Sequence, residues 1–166
     1  LRRWHFKALI EASGLSRERV NHYLKQLVKD KLVKRVKPKG KMPYYIANRD
    51  NSVFRTAKKI YGLQVINESG LLAHIASRKG IKTAILFGSF ARGDWSKSSD
   101  VDLFIYGDDK DFDKGKFEIK LGREIQIFNY KKPEKVKELD SKVIPNILKG
   151  IHLTESIEPF EVSVRG

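Results

Sequence analysis

Residues 81–105 read Ile81-Lys-Thr-Ala-Ile-Leu-Phe87-Gly88-Ser89-Phe-Ala-Arg92-Gly-Asp-Trp-Ser-Lys-Ser-Ser-Asp100-Val101-Asp102-Leu103-Phe-Ile105. Ile81–Phe87 is a short apolar stretch with the length and composition of a buried strand. Gly88 at its end lets a phosphate approach the backbone, and Ser89 adds a hydroxyl beside exposed N–H groups. Phe90-Ala91-Arg92 starts a helix, whose N-terminus favours anions. Further on, Asp100 and Asp102 alternate with Val101 and Leu103. Strand periodicity puts both carboxylates on one face and both apolar side chains on the other. Two carboxylates on one face suit hard divalent cations, which in turn hold a triphosphate. The ordinary alternative is a turn followed by a solvated strand edge.

Near misses narrow the chemistry. Gly88 and Gly93 have the glycine spacing of a Walker loop, but Asp94-Trp95 stands where Lys-Ser/Thr is required. No Gly-x-Gly-x-x-Gly occurs, so a dinucleotide fold has no support. Two acids at adjacent same-face positions are badly placed to flank a glycosidic bond. The acidic stretch 107–113 lacks the terminal Glu of an EF-hand and reads as a solvated turn.

The arrangement resembles the nucleotidyltransferase superfamily that includes DNA polymerase beta. Gly88-Ser89, the ten residues 90–99 and Asp100-Val-Asp102-Leu follow its signature, as does Ala91-Arg92-Gly93 of its small members. The resemblance implies that Gly88, Ser89 and Arg92 contact nucleotide phosphates and that Asp100 and Asp102 bind two Mg²⁺ ions. It also implies a mixed α+β fold and transfer of an NMP from an NTP, ATP among the candidates, to an acceptor hydroxyl. Small members include antitoxins that modify a helical toxin, so a helical toxin-like protein is one expected partner. The family requires a third carboxylate on a neighbouring strand. In Arg123-Glu-Ile-Gln-Ile-Phe128 the position flanked by apolar residues is Gln126, a neutral amide that cannot act as a base. Glu124, roughly 6.5–7 Å away along a strand, either takes the catalytic role or forms an ion pair with Arg123.

Charge divides the chain. Of its 166 residues, 34 are Lys or Arg and 20 are Asp or Glu, a net charge of +14, and 1–60 carry 17 of the bases against four acids. So uneven a distribution points to two modules with different partners, the first facing a polyanion. There is no cysteine, hence no disulfide framework, thiolate zinc site or thiol nucleophile. No apolar run approaches the roughly 20 residues of a bilayer span, and no signal-peptide pattern opens the chain. A cytoplasmic protein with no membrane partner is expected.

Within the basic part, Gly14-Leu15-Ser16 separates two helices, with Gly14 in a left-handed turn and Ser16 as N-cap. Val20, Leu24, Leu27 and Val28 have helical spacing; the opposite face carries Arg17, Arg19, Asn21, His22 and Lys25. Residues 32–36 and 44–47 read as a hairpin around a loop carrying Lys37, Lys39 and Lys41. This pattern resembles the winged helix-turn-helix modules of transcription regulators, although their usual first helix is short or missing before Leu1. That resemblance implies binding of double-stranded DNA or a structured RNA through Ser16, Arg17, Arg19, Asn21, His22, Lys25 and the three loop lysines.

The expected organisation is a winged helix over 1–50, a helical connector over 51–65, a minimal nucleotidyltransferase domain over 66–154 and an unassigned tail over 155–166. Two helical stripes (Phe54, Ala57, Ile60; Leu71, Leu72, Ile75, Ala76) are expected, with breaks at Gly62 and Gly70. A helix is expected over 133–149, broken or kinked at Pro145, with a last strand at 151–153. Two functions compete. One is a Mg²⁺-dependent nucleotidyltransferase with a DNA-binding module. The other is a DNA-binding regulator whose second domain binds nucleotide without turnover.

Overall fold

The computed structural model describes residues 2–110 and 112–160. The chain divides into two compact units, Leu1–Lys58 and Lys59–Gly166.

In the first unit, α1 (Phe6–Ser13) and α2 (Arg17–Lys29) are joined by Gly14-Leu15-Ser16. Gly14 takes φ +65°, and the Ser16 hydroxyl accepts the Arg19 N–H at 3.3 Å. Strands β1 (Val33–Val36) and β2 (Tyr44–Ala47) form an antiparallel hairpin. Trp4 adds a bridge that the sequence did not announce, exchanging backbone hydrogen bonds of 2.9 and 2.8 Å with Tyr45. Buried Asn48 ties the hairpin to the end of α2, donating its side-chain amide to the Lys31 carbonyl and its backbone N–H to that of Leu32.

The second unit is built on a four-stranded sheet, order β5-β4-β3-β6. Strand β3 (Ile81–Phe87) lies antiparallel to β4 (Val101–Gly107) and to β6 (Ile151–His152), while β5 (Ile125–Tyr130) runs parallel to β4. The sheet is covered on both faces, which explains the continuous apolar run Ala84–Phe87 of β3. Alternation sorts the strand residues. Ala84, Leu86, Val101, Leu103, Ile105 and Ile125 join Ile66 of α3 (Ser52–Glu68), Leu71 and Ile75 of α4 (Leu71–Ser77) and Phe117 of α6 (Lys114–Leu121). Ile85, Phe87, Phe104 and Tyr106 join Val136 of α7 (Pro133–Lys137) and Ile147 of α8 (Val143–Leu148). Asp102 therefore belongs to the second face. Between β3 and β4 stands the one-turn helix α5 (Gly88–Arg92), stopped by Gly93 at φ +76°.

Several expectations need correction. Gly70 does separate two helices, but α3 runs straight through Gly62. A Cβ there would come 2.9 Å from Trp95 Nε1 and 3.1 Å from the Phe90 ring, so the glycine serves close packing. The stripe Phe54–Ala57–Ile60 is not the buried one: Ile60 is 61% exposed, and Ile66 is fully buried with Leu63 and Val65 beside it. Of the second stripe, Leu71 and Ile75 are buried while Ala76 is exposed. Helix α6 was not foreseen, although Asp113 caps it by accepting the Lys116 N–H and Gly122 closes it. The helix expected over 133–149 is two, and Pro145 lies in the first turn of the second, where its missing N–H costs nothing. From the tail, Thr154 and Ser156 hydrogen-bond to β3 and Phe160 packs on Phe104; residues 161–166 lie outside the described residues.

Candidate active site

The end of β3 and the start of β4 meet because Phe87 is the register partner of Asp102. Gly88, next in the chain, turns with φ +67°, a conformation that disfavours any side chain. A Cβ on Gly88 would overlap the Asp102 carboxylate, with Cγ only 2.8 Å away. The glycine is thus what allows the backbone of the turn to lie against this acid. The first N–H groups of α5 follow directly and, as at any helix start, have no acceptor within the helix.

Asp102 is half-buried and Asp100 exposed. Burial pushes the Asp102 carboxyl above its usual range, the neighbouring charge of Asp100 pushes the same way, and Arg92 opposes both. A buried carboxylate beside a second one is stabilised by a cation. Both supply hard oxygen donors, and magnesium is commonly held by one or two carboxylates together with substrate phosphates. Ser89 lies half-buried within α5, and its carbonyl accepts the N–H groups of Gly93 and Asp94. Exposed Arg92 is held 3.1 Å from Asp94.

The third position departs from three carboxylates. Parallel pairing sets Gln126 in register with Asp102, so the two share a face. Glu124 gives its carbonyl to the Val101 N–H, while its exposed carboxylate lies 3.9 Å from the Lys114 ammonium. Among the described residues, no three acidic or histidine side chains gather as a metal site. Glu124 does not pair with Arg123 either. Instead, Arg123 Nη1 donates to the carbonyls of Ser99 at 2.7 Å and Ser96 at 3.2 Å. Sequence reading missed this contact because it joins segments over twenty residues apart and leaves no local pattern.

A family model for polymerase beta nucleotidyltransferases matches residues 71–157, more than half of the chain. The chain belongs to this family. The match includes the whole Gly88–Asp102 arrangement, so this unit is a nucleotidyltransferase domain. A Methanocaldococcus jannaschii protein named "Putative protein adenylyltransferase" is 58% identical over 36 residues. That similarity covers 22% of this chain and 35% of the relative, about a third of its length. No solved structure matches the chain significantly.

In the first unit, Ser16 caps α2, and Arg17, Arg19, Asn21, His22 and Lys25 are all exposed on it. Lys37, Lys39 and Lys41 are exposed on the hairpin loop, and none of the three has an ion pair among the described residues. The structure places these residues on the surface of one unit. Among the described residues, no helix is long and apolar enough to cross a membrane.

Proposed function

We propose that the second unit transfers a nucleoside monophosphate, AMP in the first instance, from a magnesium-bound NTP to a hydroxyl group of a protein. The observation that carries this reading is the apposition of Gly88 to the Asp102 carboxylate with Asp100 beside it. Asp100 and Asp102 would hold magnesium. When bound, the metal offsets phosphate charge and lowers the pKa of the attacking hydroxyl. Gly88 leaves room for the phosphates, Ser89 and the N–H groups of α5 donate to their oxygens, and Arg92 adds positive charge at the rim. The acceptor oxygen forms a bond to the α-phosphorus as the bond to the β-phosphate oxygen breaks. Pyrophosphate leaves with the bonding electrons, and the hydroxyl proton passes to solvent or to a base. A protein acceptor rests on the name of the archaeal relative; a helical toxin-like partner is the first to test.

For the first unit we propose a winged helix-turn-helix that binds duplex DNA or structured RNA. Its helix–turn–helix–hairpin order and exposed basic residues support this. The proposed organisation keeps a winged helix over 1–50 and a connector leading into the transferase domain, in a protein that works in the cytoplasm.

A second reading is favoured by Gln126 in register with Asp102: nucleotide is bound without turnover, and the protein acts as a DNA-binding regulator. Incubation with Mg²⁺ and α-labelled ATP separates the two. Label on protein with release of pyrophosphate supports transfer. If ATP is bound but returned intact, and Gln126→Glu brings transfer into view, the second reading stands. In that experiment, loss of transfer in Glu124→Gln with ATP binding retained would give Glu124 the role of catalytic base.

A further inference from the structure

Arg123 makes contacts that neither the family match nor the carboxylate motif explains. It lies just before β5, yet its Nη1 reaches back to the loop between α5 and β4, donating to the carbonyls of Ser99 and Ser96. The Ser99 carbonyl and the Asp100 N–H belong to the same rigid peptide plane. Gripping that oxygen therefore fixes the plane from which Asp100 departs.

The same guanidinium lies 5.0 Å from the centre of the Phe90 ring and 5.4 Å from that of Trp95. These rings stack on each other at 4.9 Å with an interplanar angle of 5°. Phe90 is a residue of α5, the helix that begins at Gly88. One side chain, carried just before the strand of Gln126, thus touches the helix of the phosphate turn and the loop carrying Asp100. Its Nε is buried without a hydrogen-bond partner among the described residues. An unpaired interior N–H is costly, so the strength must come from the two charge-assisted bonds and the ring faces. Lysine could not reproduce this, because a single ammonium offers neither a planar fork nor a stacking surface.

We infer that Arg123 is a positioning residue of the transfer site, setting Asp100 beside the Asp102 that lies against the Gly88 turn, so that magnesium and phosphates are held together. The inference rests on the nucleotidyl-transfer reading. It acts through backbone carbonyls and ring faces, with no contact to substrate.

The test compares whole-chain wild type, Arg123→Lys and Arg123→Met by calorimetry with ATP, with and without Mg²⁺, well below each melting temperature. Arg123→Met, which removes both carbonyl bonds, should weaken Mg²⁺-dependent ATP binding by about tenfold. Arg123→Lys should lose about threefold, and the metal-free affinity should stay unchanged in both. A purely structural role would lower the melting temperature and leave the affinity of the folded protein intact, and that result overturns the inference. If Arg123→Met does not fold, Arg123→Lys decides alone: wild-type Mg²⁺-dependent affinity rejects the inference. Absence of Mg²⁺–ATP binding by the wild type would instead reject the reading of the site. Hydrogen exchange of the nucleotide-free protein then judges Arg123 separately. Faster exchange over residues 99–102 in Arg123→Lys supports its hold on Asp100, and unchanged exchange overturns it.

Discussion

The two units solve different physical problems with the same chain. Among the described residues, the buried apolar side chains of Leu1–Lys58 are Val20 and Leu24, whereas those of Lys59–Gly166 fill both faces of a sheet. Excess positive charge is concentrated in the first unit, while acids and bases nearly balance in the second. A site that must hold a half-buried carboxylate against a glycine turn needs rigid walls, and close-packed cores supply them. A surface that binds a polyanion needs exposed charge and tolerates a thin core. On the proposed reading, rigidity goes with the chemistry and charge with the polyanion contact.

The comparison can be broken most sharply at Gly88. Gly88→Val would strain a left-handed position and drive side-chain atoms into the Asp102 carboxylate. Nucleotide transfer and Mg²⁺–ATP binding should both vanish, while duplex binding by the first unit persists. Labelled-ATP and anisotropy assays on the same preparation would show this. If ATP binding survives, the turn does not face the nucleotide.

Core truncation sharpens the contrast in stability. Ile147, fully buried in the second unit, should cost about 3 kcal/mol as Ile147→Ala. Leu24→Ala, in a unit whose buried apolar side chains among the described residues are only Val20 and Leu24, should cost about 2 kcal/mol. Urea midpoints at fixed slope measure both. Equal costs would mean that the first unit is packed as tightly as the second.

The charge side of the comparison rests on the hairpin loop. Replacing Lys37, Lys39 and Lys41 by Gln should weaken duplex binding regardless of sequence and lower the salt slope by about 2.7. Substituting Arg17, Asn21 or His22 should change sequence preference instead. A titration between low and moderate salt reads the slope, and an unchanged slope removes the loop from the interface.

The smallest effect concerns acid stability of the second unit. Glu118 accepts the Ile125 N–H at 2.8 Å, and this bond, ahead of the pairing with Lys114, holds its carboxyl below the usual 4.5. A carboxyl depressed on folding contributes stability that is complete above its unfolded value and fades as pH falls through the folded one. Melting temperature should therefore drop less steeply below pH 4.5 in Glu118→Gln than in the wild type. Parallel acid limbs would show that the bond is not made in solution.

What could be read from residues alone follows the range of the interactions. The β3 strand, the Gly88 turn, the Asp100–Asp102 alternation, the Gly14–Ser16 turn and the hairpin all depend on neighbours in sequence, and all are present. Gly62 misled because a glycine inside a helix looks like a break, whereas here it admits Trp95 from a distant loop. Helix α6 was hidden by the acidic residues before it, although Asp113 and Gly122 mark its ends. In the site, the glycine turn and the two acids were legible. The pairing of Glu124 with Lys114 and the reach of Arg123 to Ser99 were not, since both are made by tertiary contact. Gln126 was visible in sequence, but only the β4–β5 register shows that it faces the same side as Asp102.

The central claim is that Asp100 and Asp102 form one magnesium-dependent nucleotide site with the Gly88 turn. Calorimetry of ATP binding at saturating Mg²⁺, comparing wild type with Asp102→Asn and Asp100→Asn, tests it most directly. Both variants should fold, because neither carboxylate belongs to the core, and both should lose about a hundredfold or more in affinity. Affinity equal to that of the wild type in the folded Asp102→Asn protein would contradict the assignment and leave the two acids as ordinary polar residues at the start of β4.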